Sequence, residues 1–426
     1  MTQTPPTPRS VSRARRNLER LFVAVFALLL SLPLFQQATG IPKDIRLAGV
    51  EIRKPTPVFT WAAWFDGNYA AAVDNWLLGD VGLRGFLVHL ACQANYSLFG
   101  KIGMSGGTDV VEGRDHWLFE RAYIKWAVRQ PPMGAKNAVR FSEQAALLQQ
   151  ELARRGIAFA LVIAPSKAQI MPDYLPPEIA LPARNATDAY SRLIPELEKR
   201  GVQLLDGHRL FLTLKNTEPH LFPPTGTHWS YYAAWLTWQA LANRLRAHSS
   251  CAELPVQPIE KIVWTTPQGS DDDLRQLLNL WHFEPGGPAR LPYPIISPAP
   301  QPLQDRYSAL VVGDSFSLTL IDAMARTGTF RQIDLLYYFK RHLTYPSPSF
   351  AQSADRLIAD EGIDMGPLDK GNMGWEDLLQ NRQMVILTLN EIHIKDAGWG
   401  FLDAMLAELN PDQRTTSTVT SPASRQ

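Results

Sequence analysis

Leu310–Leu318 reads LVVGDSFSL, and this stretch decides the fold. With Tyr307–Ala309 before it, an apolar run enters a Gly-Asp-Ser turn and then a helix, the pattern of a buried strand feeding a helix. In an open parallel sheet, ligands bind beyond the carboxyl ends of the strands. A serine at such an end sits near a helix N-terminus, where its own backbone N–H can stabilise an oxyanion. Gly313 permits the tight turn, Asp314 can hold it through the backbone, and Ser315 is the candidate nucleophile. The plainer reading makes Ser315 and Ser317 caps of the next helix.

The surrounding chain repeats the alternation. FSEQAALLQQELARRG has helical spacing and ends at Gly156, followed by the apolar run IAFALVIAP. NATDAYSRLIPELEKRG starts at a cap, Asn185, and feeds VQLLDG; WSYYAAWLTWQALANRLR is a further helix. IDLLYYF and QMVILTLNE are two more strand-like runs. Helices interleaved with short apolar runs predict an α/β fold, a mostly parallel sheet covered by helices on both faces. Helices around Ala70–Leu98 form an extension before this region. The domain is read as 41–410, and the tail 411–426 as disordered.

The chain has 426 residues and a net charge of +1, with 42 basic and 41 acidic side chains. No basic stripe speaks for nucleic acid. Cys92 and Cys251 are too few for a disulfide scaffold and lack metal-site spacing, so no metal and no cofactor is expected. Residues 1–40 stand apart. Five arginines (Arg9, Arg13, Arg15, Arg16 and Arg20) precede the uncharged run Leu21–Phe35, the pattern of a signal anchor or signal peptide. A retained anchor is the preferred reading, and Ala38-x-Gly40 is the candidate cleavage site otherwise. Either way the body of the protein is exported across a membrane.

A serine hydroxyl needs a base within hydrogen-bond reach. His228, in PPTGTHWSYY, lies where a Pro-ended loop enters a helix. His208, two residues after Asp206 in LLDGH, and His393, in LNEIHI, are its rivals. Residue chemistry alone does not choose among them.

Several segments in a fixed order resemble the alginate O-acetyltransferases of the AlgJ and AlgX type, whose catalytic domain is SGNH-hydrolase-like. They are FTWAAWFDGNYAAAVDNWLLGDVGLRG, VVEGRDHWLFE, LVIAPSKAQIMPDYLP, GTHWS, VVGDSFS and LNE. The resemblance implies that His228 is the base for Ser315, and it leaves one gap. Where the family carries an aspartate two residues before the histidine, this chain has Gly226. Three readings follow: a Ser315–His228 dyad oriented by a backbone carbonyl or water, a substitute carboxylate, or a binding domain without efficient catalysis. The candidate carboxylates are Asp206, Asp314, Asp271, Asp272 and Asp273. The dyad reading predicts that Gly226→Asp raises turnover, and the run Asp271–Asp273 is read first as the acidic N-terminus of a helix.

The function implied is O-acetylation of an exported polysaccharide on the periplasmic side of the bacterial inner membrane, through a seryl acyl-enzyme. An acetylesterase and a non-catalytic polysaccharide-binding assembly subunit are the alternatives. A membrane-bound O-acyltransferase is the implied acetyl donor, with the N-terminal helix as tether. Asn390 is the candidate side-chain donor of the oxyanion hole. Trp229, Tyr231 and Arg341 are candidate sugar contacts, with Tyr232, Tyr337 and Tyr338 behind them.

Overall fold

In a computed structural model the described residues are 13–49, 56–80, 82–103, 109–284, 286–288, 290–297, 306–346 and 362–409. The tail expected over 411–426 lies outside them. The chain divides into two compact units, Met1–Thr108 with Gln276–Phe283, and Asp109–Arg275 with Glu284–Gln426.

The first unit is helical: α1 (Arg13–Thr39), α2 (Trp61–Phe65), α3 (Asn68–Asp80) and α4 (Arg84–Phe99). Over Arg15–Thr39, α1 is long and apolar enough to cross a membrane, and none of its apolar window is buried.

The second unit opens with a hairpin, β1 (Val110–Glu112) and β2 (Leu118–Glu120), and then α5 (Arg121–Arg129) and α6 (Ala135–Arg154). The central part follows as β3 (Ala158–Ala164), α7 (Lys167–Ile170), α8 (Ala189–Lys199), β4 (Leu204–Asp206), α9 (Gly207–Leu214) and α10 (Tyr231–Leu245). An antiparallel ribbon, β5 (Ile259–Thr265) with β6 (Leu291–Ile296), brackets the start of α11 (Asp273–Leu277). Next come β7 (Tyr307–Gly313), α12 (Phe316–Arg326), β8 (Phe330–Tyr337), β9 (Arg341–Pro346) and β10 (Ile363–Pro367). The described unit closes with α13 (Trp375–Leu379), β11 (Met384–Asn390) and α14 (Phe401–Leu409).

Seven strands form one sheet in the order β10-β9-β8-β7-β11-β3-β4. The run from β8 to β4 is parallel, and β9 and β10 add antiparallel strands at one edge. The parallel strands are buried on both faces, and their residues alternate between two cores. Ala158, Ala160 and Val162 of β3 join Val311 and Ile386 under α10 and α12; Phe159, Leu161 and Ile163 join Val312 and Leu387 under α6, α8 and α14. This two-sided burial is why these strands read as continuous apolar runs. All carboxyl ends of the parallel strands open on one side, and the loops after β7, β11 and β3 meet there.

One local expectation needs correction. The cap of α8 is Asp188, whose carboxylate accepts from Ser191 N at 2.9 Å; Asn185 forms a turn three residues earlier, accepting from Thr187 N. The strand β6, LPYPII, tolerates its prolines because it belongs to a two-stranded ribbon. Asp188→Ala is expected to cost roughly 1–2 kcal/mol in urea unfolding, and Asn185→Ala clearly less. Equal costs would return the cap to Asn185.

Candidate functional site

Ser315 stands between β7 and α12, and the turn is built by its neighbours. Asp314 is buried; its carboxylate accepts from Phe316 N at 3.1 Å and Asn390 N at 2.6 Å, so it ties the turn to the end of β11. Burial pushes its carboxyl above the usual range, against the pull of His393 and these two N–H groups. A Cβ at Gly313 would meet Ser317 Oγ and lie 2.8 Å from Thr388 O, so only glycine lets β7 and β11 approach this closely. Ser315 makes no side-chain cap bond to α12. Its hydroxyl is directed instead to His228, with Oγ 2.8 Å from Nε2.

His228 completes a chain of three groups. Its Nδ1 lies 2.7 Å from Asp273 Oδ2, and Asp273 Oδ1 accepts from Thr227 N at 2.9 Å. The pairing fixes the tautomer: Nδ1–H donates to the carboxylate and Nε2 accepts from the serine hydroxyl. The ring packs on Phe316, centroids 4.8 Å apart. Asp273 is the first residue of α11, so the expected helix-start acid is present and its carboxylate also faces the imidazole. Among the carboxylates considered, Asp206 is occupied elsewhere. It accepts from Tyr190 Oη and Arg209 N and caps α9.

Gly226 explains why the acid comes from elsewhere in the sequence. Its φ lies outside the left-handed region, so the constraint is space. A Cβ there would collide with Ser270 O and lie 2.8–2.9 Å from the carbonyl group of Asp271, all backbone. The 270–273 segment therefore occupies the volume that a side chain at 226 needs, and it presents Asp273 to the same imidazole.

The loop before His228 is buried without regular secondary structure, so its carbonyls need partners from other elements. Lys167, at the start of α7 and fully buried, donates to Leu118 O, Pro223 O, Pro224 O and Gly226 O at 2.6–3.1 Å. Trp117 and Phe119 lie about its ammonium at 5.0 and 5.1 Å. Burial pulls the Lys167 ammonium well below its ordinary value, and Asp273 and Asp271 pull it back. Thr225 O is met by Leu274 N and Arg275 N at 3.1 Å each, and Thr225 Oγ1 donates to Asp271 O. Leu118 N, on β2, also donates to Pro224 O at 2.8 Å, so one ammonium, one strand amide and one helix start together satisfy every carbonyl from Pro223 to Gly226. Lys167 lies two residues beyond the apolar run that ends at Pro165.

Tyr338 closes another side of the site. It follows β8 in a left-handed conformation, φ 50°, with its N–H on Gly313 O at 2.8 Å. Its phenol lies beside Ser315; burial and Asp314 raise its pKa, and the Ser315 hydroxyl and backbone N–H lower it. Glu120 lies on the Thr227 side, Oε2 3.4 Å from Thr227 Oγ1, and burial raises its carboxyl while His228 lowers it.

The remaining sequence candidates fall elsewhere. Asn390 is buried; its amide donates to Pro165 O and its oxygen accepts from Ile392 N, so it holds the turn after β11. Trp229 is buried and donates to Thr319 Oγ1, and Tyr231 is buried against Tyr293. Arg341 pairs with Asp364 on the antiparallel edge. Tyr232 donates to Glu218. His208 pairs with buried Glu391 at 2.5 Å, and His393 with Asp396 at 2.9 Å.

Residues 110–324, just over half of the chain, match the family described as the SGNH hydrolase-like domain of acetyltransferase AlgX. The probable alginate O-acetylase AlgJ of Pseudomonas aeruginosa is 27% identical over 219 residues, covering 50% of this chain and 51% of that protein. The match thus spans about half the length of this curated relative. Among solved structures, the O-acetyltransferase domain of Pseudomonas putida AlgJ is 20% identical, with 67% of this chain and 92% of that chain covered and a TM-score of 0.38. Pseudomonas aeruginosa AlgX is 15% identical, with 68% and 65% covered and a TM-score of 0.38.

Two outcomes test this construction. Gly226→Asp, which writes the family aspartate back into the sequence, is expected to lower the melting temperature and not to raise turnover, because its Cβ meets backbone. Lys167→Met is expected to cost on the order of 3 kcal/mol, since it strips buried carbonyls of their donor. It should also speed hydrogen exchange at Thr227 and His228. Unchanged exchange there would remove Lys167 from the support of this loop.

Proposed function

Because the chain belongs to the alginate O-acetyltransferase family of AlgJ and AlgX type, with its SGNH hydrolase-like domain, we propose that it acetylates hydroxyls of an exported polysaccharide through a seryl acyl-enzyme. The observation that carries this reading is the hydrogen-bonded series Ser315–His228–Asp273 at the carboxyl end of β7.

In the first half-reaction Ser315 Oγ attacks the acetyl carbonyl while His228 Nε2 takes its proton. The imidazolium so formed is stabilised by Asp273, the role of the acid in such a series. The carbonyl oxygen gains negative charge and needs donors already in place. The Ser315 N–H is one, and the neighbouring Tyr338 hydroxyl is the other. Collapse expels the donor's leaving group, which takes the proton from His228. In the second half a sugar hydroxyl gives its proton to His228 and attacks the acyl-enzyme; collapse returns that proton from His228 to Ser315 Oγ and releases the acetylated sugar.

The acetyl donor in this reading is a membrane-bound O-acyltransferase, and α1 holds the enzyme beside it on the periplasmic side of the inner membrane. Alginate is the acceptor named for one relative, the probable alginate O-acetylase AlgJ, and a polysaccharide is the class carried over here. The non-catalytic reading drew its support from Gly226, and the Asp273–His228 contact removes that support.

Incubation with a sulfonyl fluoride, followed by peptide mass spectrometry, is expected to place the adduct on the Ser315 peptide. Ser315→Ala should abolish acetyl transfer from an activated ester to an oligosaccharide while leaving the fold intact. Acetate release without transfer would make the protein an esterase, and an adduct on another serine would end the assignment. Tyr338→Phe is expected to slow turnover by about 10²–10³, the size of one oxyanion donor. An unchanged rate would leave Ser315 N–H without this partner.

A further inference from the structure

In the first unit the start of α4 is fastened to the end of α1. Gln36 Oε1 accepts from Leu83 N at 3.1 Å, and its amide donates to Pro42 O at 3.0 Å. Gly82 lies so close to Pro33 O that no Cβ would fit. Asp44 caps the first turn of α4, accepting from Gly85 N at 3.0 Å and Phe86 N at 3.2 Å. Pro33 and Gln36 mark the end of the apolar run Leu21–Phe35. The first turn of α4 therefore sits at the level where α1 would leave the hydrocarbon. A leader cleaved after Gly40 would take both residues out of the unit, so this docking favours a retained anchor.

The outward face of α4 is inverted for a helix in water. Gly85, His89 and Cys92 are buried, with Trp281 stacked on His89 and tilted against Phe86. The residues turned outward are Phe86, Leu87, Leu90 and Leu98, 42–73% exposed, on one helical stripe. A helix facing water carries charge on that side. Here RGFLVHLACQANYSLF contains no acid, and Arg84 is its one permanently charged residue. In the same unit α2 exposes Trp61, Trp64 and Phe65. Exposed apolar surface of this extent marks an interaction site, and its continuity with α1 points to lipid.

We propose that α4 is an interfacial membrane helix. It lies in the leaflet where α1 emerges, with Phe86, Leu87, Leu90 and Leu98 among the acyl chains and the α2 aromatics at headgroup depth. The inference rests on α1 crossing the membrane and is independent of the chemistry at Ser315. The helix has 16 residues and is about 24 Å long, too short to cross a hydrocarbon core of about 30 Å. Lying in the plane suits an apolar stripe of this kind, and tryptophan favours the adjoining headgroup region.

The test uses the full chain in phosphatidylethanolamine–phosphatidylglycerol vesicles, with Cys92→Ala and Cys251→Ala as background. An environment-sensitive fluorophore is placed at Leu90→Cys, and in a separate variant at Lys199→Cys, an exposed control on α8. The probe at 90 is expected to emit at shorter wavelength and be quenched by nitroxide-bearing lipid, with several-fold less quenching by soluble iodide than at 199. Iodide quenching equal to the control would overturn the proposal. A probe shielded from iodide yet unquenched by lipid nitroxides would also overturn it, because a second protein copy would then cover the face.

Discussion

A buried loop without regular secondary structure of its own must find a donor for each carbonyl, and the site depends on how Pro223–Gly226 does so. Lys167 reaches three of its carbonyls, sharing Pro224 O with Leu118 N, and the first amides of α11 meet the fourth. Both partners matter beyond the loop. Lys167 also reaches Leu118 O, which joins the β1–β2 hairpin to the site. The start of α11 brings Asp273, whose two oxygens divide between the Thr227 amide and the His228 ring. Loop satisfaction and imidazole orientation are thus one arrangement.

This arrangement makes positions 226 and 273 mutually dependent. With glycine at 226 the 270–271 backbone closes to contact distance, and the following residue but one delivers a carboxylate to Nδ1. Any side chain at 226 would push that backbone outward and carry Asp273 away with it. The acid can be supplied from the loop itself or from α11, and the packing here admits the second only. Asp273 keeps partial contact with solvent, its side chain 29% exposed.

Much of this was legible in the sequence, and the misses share a cause. β3, β7 and β11 announce themselves because burial on both faces leaves few polar positions. Ser315 and His228 sit in short motifs whose chemistry is local. Asp273 was weighed only as one of five substitutes, since an acid at a helix start already has a local explanation, and 45 residues separate it from His228. Asn390 drew attention as an amide at a strand end, whereas the phenol on Ser315 comes from Tyr338, whose left-handed turn has no sequence signature. Trp229 and Tyr231 are aromatic neighbours of the base, but the helix that follows turns both into the core. Lys167 was invisible because a buried lysine bound to carbonyls has no partner in sequence.

The account stands on Asp273 acting as the orienting acid of His228. The rate of Ser315 acylation by an activated acetyl ester, measured for Asp273→Asn against the unaltered chain with melting temperatures in parallel, tests this most directly. The account predicts a fall of about 10⁴, the cost of losing this acid in a serine series, with little change in melting temperature. Acylation within a few-fold of the unaltered rate, at equal stability, would contradict it.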